Sequence, residues 1–380
     1  MRTFKNDLAL RLTLCVLLAA NALLYMTWPW LRNLPLTSDS GEAYTIQNVM
    51  RNELYFNWFL DSIRTEKRIL FLGTSESMFY YNLAAQLNQL APDNPRMVVY
   101  ARGGLSPIHS AVLIGRWKRE GIEIPPLVLV INPVYFTRGH DVVNDGWLSQ
   151  VIRSPVFLQM NHRHINDYLS EEVLHVYDQH FSLRRLLYPA TMQEYLGNLF
   201  YLFFHQVTHQ AEARLPRVPA YKFNGKLPDY DENKNIWKTM LASDRLDQSR
   251  WVVRDPEESV NLKGLASIMT ILRDSPAPIL LVVLPANRKF YEYHGLDMSE
   301  WERSYKIIRK RIQTLARGEN VYFIDLFDLP KPHLGFRDRM HMDQYGFFQL
   351  ARFILASAEY GRFIDAVRLY CLHLGGIKPH

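Results

Sequence analysis

The stretch that most constrains this chain is Lys67 to Phe79, KRILFLGTSESMF. Arg68 to Leu72 is a short apolar run with a basic lead-in, which reads as a buried parallel strand. Gly73 breaks the run, and Ser75 follows two residues later. The next segment, SMFYYNLAAQLNQL, has apolar residues at helical spacing. A strand, a tight glycine turn and a helix together expose one small side chain at the carboxyl end of a sheet. They also aim the first backbone N–H groups of the helix at the same spot. Ser75 therefore stands where a nucleophile would be. The same turn with a serine also serves as plain helix capping in α/β proteins. The later glycines of a dinucleotide fingerprint and the Gly-Lys-Ser/Thr of a phosphate loop are both missing.

Further strand-and-helix units follow. Met97 to Tyr100 is a second apolar run, ending at Ala101-Arg-Gly-Gly-Leu105, and His109 to Arg119 reads as a helix. Leu127 to Ile131 is a third strand, stopped by Asn132-Pro133. Three such units in series predict a parallel sheet with helices on both faces. Ligands in such sheets bind beyond the carboxyl ends of the strands. Ser75, the Gly103-Gly104 pair and Asn132 would then share one rim. The pattern resumes with a helix over Ser259 to Leu272, a strand over Ile279 to Leu284, and a basic amphipathic helix over Trp301 to Ala316. A strand over Val321 to Ile324 and a closing helix over Phe347 to Ala356 complete it.

Between the two halves, about 140–250, the chain reads as a mainly helical insertion, with helices over Asp167 to Tyr177 and Met192 to His205. Leu196 to Phe204 is strongly aromatic but too short to span a bilayer; packing on the sheet is preferred to lying on a membrane surface. Leu215 to Asn235 reads as a surface loop. No internal repeat is visible.

The N-terminus bears on the compartment. Arg2, Lys5 and Arg11 accompany an apolar stretch from Leu8 to Trp30. Leu12 to Trp30 is roughly 19 residues, about 30 Å as a helix, enough for a bilayer core. Trp28 and Trp30 would sit at the far interface. The basic residues keep the N-terminus cytoplasmic, which makes this a single-pass anchor in the inner (cytoplasmic) membrane with the rest extracytoplasmic. A cleaved signal peptide is the rival reading, less favoured because the run is long. The domains expected are 1–31, cytoplasmic tip and anchor; 32–66, a connector with an amphipathic helix over Ile46 to Ile63; and 67–380, the α/β domain with its insertion.

The net charge of +6 is spread rather than blocked, so nucleic acid is not implied as a partner. Two cysteines, Cys15 and Cys371, make neither a disulfide framework nor a metal cluster. His162 and His164 have metal-like spacing, but no neighbouring carboxylate or cysteine completes a site, and no cofactor or metal is expected.

Near the C-terminus stands Asp338-Arg-Met-His341. A carboxylate three residues before a histidine can reach its Nδ1, fix the tautomer and leave Nε2 as a base. A lone pair of this spacing is also common in surface turns; its place after the last strand is what puts it on the rim with Ser75.

These residues resemble the SGNH (GDSL-type) hydrolases. Gly73-Thr74-Ser75-Glu76 is similar to their nucleophile block, Gly103 or Gly104 to the second-block glycine, and Asp338-x-x-His341 to the last block. The closer resemblance is to DltD, the D-alanyl transfer proteins. That family has a Gly-Ser-Ser-Glu-like turn, here residues 73–76, and a strand ending in a Ser-Pro-x-Trp-Phe-like segment, here Asn132 to Phe136. It also has a Pro-x-Asn-Lys-Lys-like stretch and Tyr-x-Gly-Leu, here Pro285 to Lys289 and Tyr293 to Leu296. The third SGNH block departs: Asn132 stands without its glycine.

The resemblance implies an SGNH-like three-layer α/β/α fold and a membrane-anchored serine acyltransferase or esterase. Ser75 would be acylated, His341 would act as base and then acid, and Asp338 would orient it. The Ser75 and Gly103 or Gly104 N–H groups, with Asn132, would hold the oxyanion. An envelope glycopolymer would be the acceptor, and a membrane-bound O-acyltransferase-type exporter the partner. The alternative is a non-catalytic scaffold of the same shape that binds the exporter or the polymer. A cytoplasmic dehydrogenase is excluded by the missing glycines and the apolar N-terminal run.

Overall fold

The computed structural model describes residues 63–64, 67–78, 82–101, 105–119, 121, 123–142, 251–293, 295, 297–329, 335–336 and 340–374, with scattered helical positions between 11 and 22. The expected helices and loop of the insertion, the pair His162 and His164, and most of the connector lie outside the described residues.

Five parallel strands form one sheet: β1 (Ile69–Gly73), β2 (Met97–Ala101), β3 (Leu127–Ile131), β4 (Ile279–Val283) and β5 (Val321–Asp325), in the order β2-β1-β3-β4-β5. Helices α1 (Leu83–Leu90), α2 (Pro107–Arg119), α3 (Val260–Leu272), α4 (Arg288–Tyr293), α5 (Met298–Leu315), α6 (Gln344–Leu355) and α7 (Ala358–Leu374) connect and flank it. The central strands are apolar throughout because both faces are covered, and their side chains alternate between two cores. Leu70, Leu72, Leu127, Leu129, Leu281 and Val283 pack with α2, α3 and α5. Ile69, Phe71, Val128, Val130, Leu280 and Val282 pack with α1, α6 and α7. The result is a three-layer α/β/α arrangement.

Strand order decides where a ligand can reach. After β2 the chain returns across β1 to form β3 on the other side. Helices on opposite faces diverge at such a reversal and leave a crevice beyond the carboxyl ends of the two strands that flank it. Those ends are Gly73 of β1 and Ile131 of β3, immediately before Thr74 and Asn132.

Two expectations are corrected. The helix predicted to follow Ser75 directly is split: Ser75–Met78 is a 3-10 turn, and α1 begins only at Leu83. Asn82 is the cause, since its Oδ1 accepts from the Ala85 N–H at 2.9 Å and its Nδ2 donates to the Ser77 carbonyl at 2.9 Å. It ends one element and caps the next. The fold also does not close with the helix near Phe347 to Ala356: Ser357 breaks the chain, accepts at Oγ from the Tyr360 N–H, and starts α7. That helix buries Tyr360, Phe363, Ile364 and Val367 on the sheet. Cys371 packs there as a free thiol, with its ionisation pushed up by burial.

Among the described residues no helix is long and apolar enough to cross a membrane. The anchor expected from Leu12 to Trp30 lies largely outside them. Its described positions are helical, and Leu12, Val16 and Leu18 are exposed.

Candidate active site

The turn after β1 is shaped by a steric demand. A Cβ on Gly73 would collide with the Ser77 side chain, so only glycine lets the 3-10 turn fold back this tightly. The Ser77 N–H closes the turn on the Thr74 carbonyl at 2.9 Å. Ser75 is the first residue of that turn and enters through its backbone position.

Both neighbours of Ser75 are fixed from the end of β3. Thr74 Oγ1 hydrogen-bonds the Tyr135 hydroxyl. The Tyr135 hydroxyl donates to Glu76, 2.9 Å from each carboxylate oxygen. Asn132 Nδ2 donates to Glu76 Oε1 at 2.7 Å. Tyr135 has one hydroxyl hydrogen and gives it to the carboxylate, so Thr74 must be the donor to Tyr135. Donors therefore run in one direction, Thr74 to Tyr135 to Glu76, and meet Asn132 at the carboxylate.

Glu76 is only 3% exposed. Burial pushes its pKa up, while its own backbone N–H, Asn132, the charge of His341 and Tyr135 pull the other way. Tyr135 is held well above the usual phenol range by burial and by the Glu76 charge. A buried carboxylate is tolerated when its oxygens are hydrogen-bonded, which is the work of Asn132 and Tyr135.

His341 belongs to a loop that returns to the same place. Phe336 and Met342 form an antiparallel bridge, and the Asp343 N–H donates to the Gly335 carbonyl at 2.8 Å. Gly335 and Gly346 lie backbone against backbone, with no room for a Cβ on either. Asp343 then caps α6 by accepting from the Gly346 N–H at 2.8 Å. The loop is thus pinned at its base, and its arm reaches the site: Asn132 Nδ2 makes a longer contact, 3.5 Å, to the Met340 carbonyl. One amide nitrogen bridges the residue after Ser75 and the residue before His341.

Asn132, expected to help hold the oxyanion, has its amide engaged within this network. It is buried, its Nδ2 faces Glu76 and the Met340 carbonyl, and its Oδ1 accepts from the Val134 N–H at 3.0 Å. Asp338, Gly103 and Gly104 lie outside the described residues. Glu76 and Tyr135 are the partners that sequence reasoning missed. Both stood inside the quoted motifs, but their contact joins residues 59 apart.

The turn carrying Tyr135 is braced from behind. Asn261 Nδ2 donates to the Tyr135 carbonyl at 2.8 Å, and Asn261 Oδ1 accepts from the Ile108 N–H at 3.2 Å. Asp141 Oδ1 accepts from the Asn261 N–H at 2.8 Å at the start of α3, where the helix dipole favours an anion. Burial still raises the Asp141 pKa to about 6, against donors from Asn261, Ser259 and Val260 and the charge of Arg254. Two backbone hydrogen bonds join the segments on either side of residues 143–250: Arg138 N–H to the Val252 carbonyl, 2.9 Å, and Arg254 N–H to the Phe136 carbonyl, 2.8 Å. Among the described residues no three His, Cys, Asp or Glu side chains gather as metal ligands would.

A buried acceptor beside a serine turn, facing a histidine loop at the sheet's reversal point, is an arrangement suited to activating a hydroxyl. No curated protein matches the chain. Residues 229–355 match the family model described as DltD protein, a span that includes α3, β4, α5, β5 and the His341 loop. Over that third of the chain the protein is similar to the DltD family.

Proposed function

We propose that this protein is a membrane-anchored, extracytoplasmic serine acyltransferase of SGNH type that esterifies a cell-envelope polymer, in the manner of D-alanyl transfer. Ser75 is the nucleophile, His341 the general base and Asp338 the group that orients it. The observation that carries the reading is the Asn132 bridge between Glu76 and the Met340 carbonyl, which draws the serine turn and the histidine loop to one crevice.

The chemistry follows from the residues. The Ser75 hydroxyl attacks an activated acyl carbonyl while His341 takes its proton. The tetrahedral oxyanion is met by the Ser75 N–H and by the N–H of Gly103 or Gly104. The leaving group departs with the proton from His341, giving an acyl-serine. A polymer hydroxyl then attacks while His341 takes its proton, the Ser75 Oγ–acyl bond breaks with that proton passed to Oγ, and the ester is released with Ser75 regenerated. If water attacked instead, the enzyme would be an esterase.

The outward Leu12, Val16 and Leu18 side chains support a lipid-facing anchor over residues 12–30. That anchor would hold the domain beside a membrane-bound acyl exporter of the O-acyltransferase type.

The test compares envelope polymers from cells carrying the wild-type gene, no gene, or Ser75→Ala, by mass spectrometry of ester-linked acyl groups. Acyl substitution that depends on the gene and is lost with Ser75→Ala is expected. Full acylation with Ser75→Ala would leave only the scaffold role.

A further inference from the structure

Glu76 is a buried ionisable residue that the acyl-transfer steps above do not use. It follows Ser75 in sequence, and Glu76 and Thr74 are the two residues flanking it. A single phenol, Tyr135, contacts both flanks, so the carboxylate cannot shift without shifting the serine turn. Its other contact, Asn132, is the one that also reaches Met340 beside His341. Nothing in sheet packing requires a charge at this position, and a buried carboxylate is costly without function or compensation. Its side-chain partners, Asn132 Nδ2 and the Tyr135 hydroxyl, are both able to donate to a carboxylate. Among the described residues Tyr135 and His341 are the titratable groups that act on it, and only His341 can become a cation.

We propose that Glu76 is a positioning residue for His341, a carboxylate held by Tyr135 and Asn132 that stabilises the imidazolium formed while Ser75 is acylated. The proposal rests on the acyl-transfer reading and adds to it a second anion beside the base. As the Ser75 Oγ–acyl bond forms, the serine proton passes to a ring nitrogen of His341. The imidazole goes from neutral to cationic while Glu76 keeps its charge and forms no bond. A fixed anion near the developing cation lowers the barrier without reorganising at the moment of reaction. Asp338 keeps the orienting role assigned to it above, and Glu76 adds electrostatic support.

A double-mutant cycle tests this in the full-length, detergent-solubilised protein. The readout is the maximal rate of covalent labelling at Ser75 by a fluorophosphonate, with the half-saturating probe concentration recorded separately. Glu76→Gln is expected to lower the maximal rate roughly 10- to 100-fold with the half-saturating concentration unchanged. In a His341→Ala background the same substitution is expected to change the residual rate by less than about twofold, because there is no imidazolium left to stabilise. If Glu76→Gln fails to fold by circular dichroism, Glu76→Asp carries the same cycle, with an expected loss of roughly 3- to 10-fold that also vanishes without His341. An equal loss with and without His341, or a rise in half-saturating concentration alone, overturns the proposal and leaves the acyl-transfer reading intact. Wild-type protein that is not labelled at Ser75 overturns both.

Discussion

Removing one phenolic hydroxyl should have opposite consequences at two buried tyrosines of this protein. Tyr135 donates to the Glu76 carboxylate and accepts from Thr74, both buried. Tyr135→Phe removes a hydrogen bond to a charged group, about 1.5–3 kcal/mol, and orphans the Thr74 hydroxyl, about 1–3 kcal/mol more. The retained ring keeps its packing, so the net loss should be about 3 kcal/mol, a large part of a typical folding free energy. Tyr305 lies on α5, fully buried and stacked on Trp301, with Phe327 beside it. Its hydroxyl has no hydrogen-bond partner among the described residues, and burial holds its ionisation well above the phenol range. Burying an unpartnered hydroxyl costs about 1–3 kcal/mol, so Tyr305→Phe should be neutral or stabilising by about 1 kcal/mol. Urea unfolding of both variants beside wild type, followed by far-ultraviolet circular dichroism, measures the two changes with one assay. A Tyr135→Phe protein as stable as wild type, or a Tyr305→Phe protein that loses as much as Tyr135→Phe, would refute the hydrogen-bond account of the site.

Asp141 has a folded pKa raised from 3.8 to about 6, so the folded state binds its proton more tightly and stability falls as pH rises from about 4 to 6. That group contributes a loss of about 3 kcal/mol across the window, and Asp141→Asn should abolish it; melting curves of both proteins at pH 4 and pH 7 would expose a pH-independent difference as contradiction. Gly335→Ala forces a Cβ into the Gly346 backbone. It should cost at least about 2 kcal/mol, spread the base of the His341 loop and slow labelling of Ser75; unaltered labelling and melting would show that the pinned base is dispensable. Asn82→Ala deletes the α1 cap and the hold on the Ser77 carbonyl, and is expected to lower stability by about 1–2 kcal/mol in chemical denaturation.

The five strands were legible because a parallel strand covered on both faces is a nearly continuous apolar run. Ile279 to Leu284 in sequence is β4 at Ile279–Val283, and Val321 to Ile324 is β5 up to Asp325. Local polar chemistry blurred the boundaries: Asn82 divided what periodicity joined, and Ser357 separated α6 from α7 by capping rather than by a proline or glycine. The candidate site was legible only as fragments. Ser75 and His341 stood out because each follows a strand and has a side chain of a type that can act as nucleophile or base. Glu76 entered only as the last residue of the Gly73-Thr74-Ser75-Glu76 turn, with no role of its own, because its partners Asn132 and Tyr135 stand 56 and 59 positions away. Such a network depends on strand order, and the neighbourhood of β1 and β3 across the reversal is not encoded in either segment alone.

The central claim is that the Ser75 hydroxyl is activated by the His341 imidazole at the carboxyl ends of β1 and β3. Peptide mapping by mass spectrometry after fluorophosphonate treatment of wild type, Ser75→Ala and His341→Ala tests it most directly. The account predicts a single adduct on Ser75 in wild type, none on Ser75→Ala, and labelling slowed at least about a hundredfold in His341→Ala. An adduct elsewhere with Ser75 unmodified, or equal rates with and without His341, would contradict it.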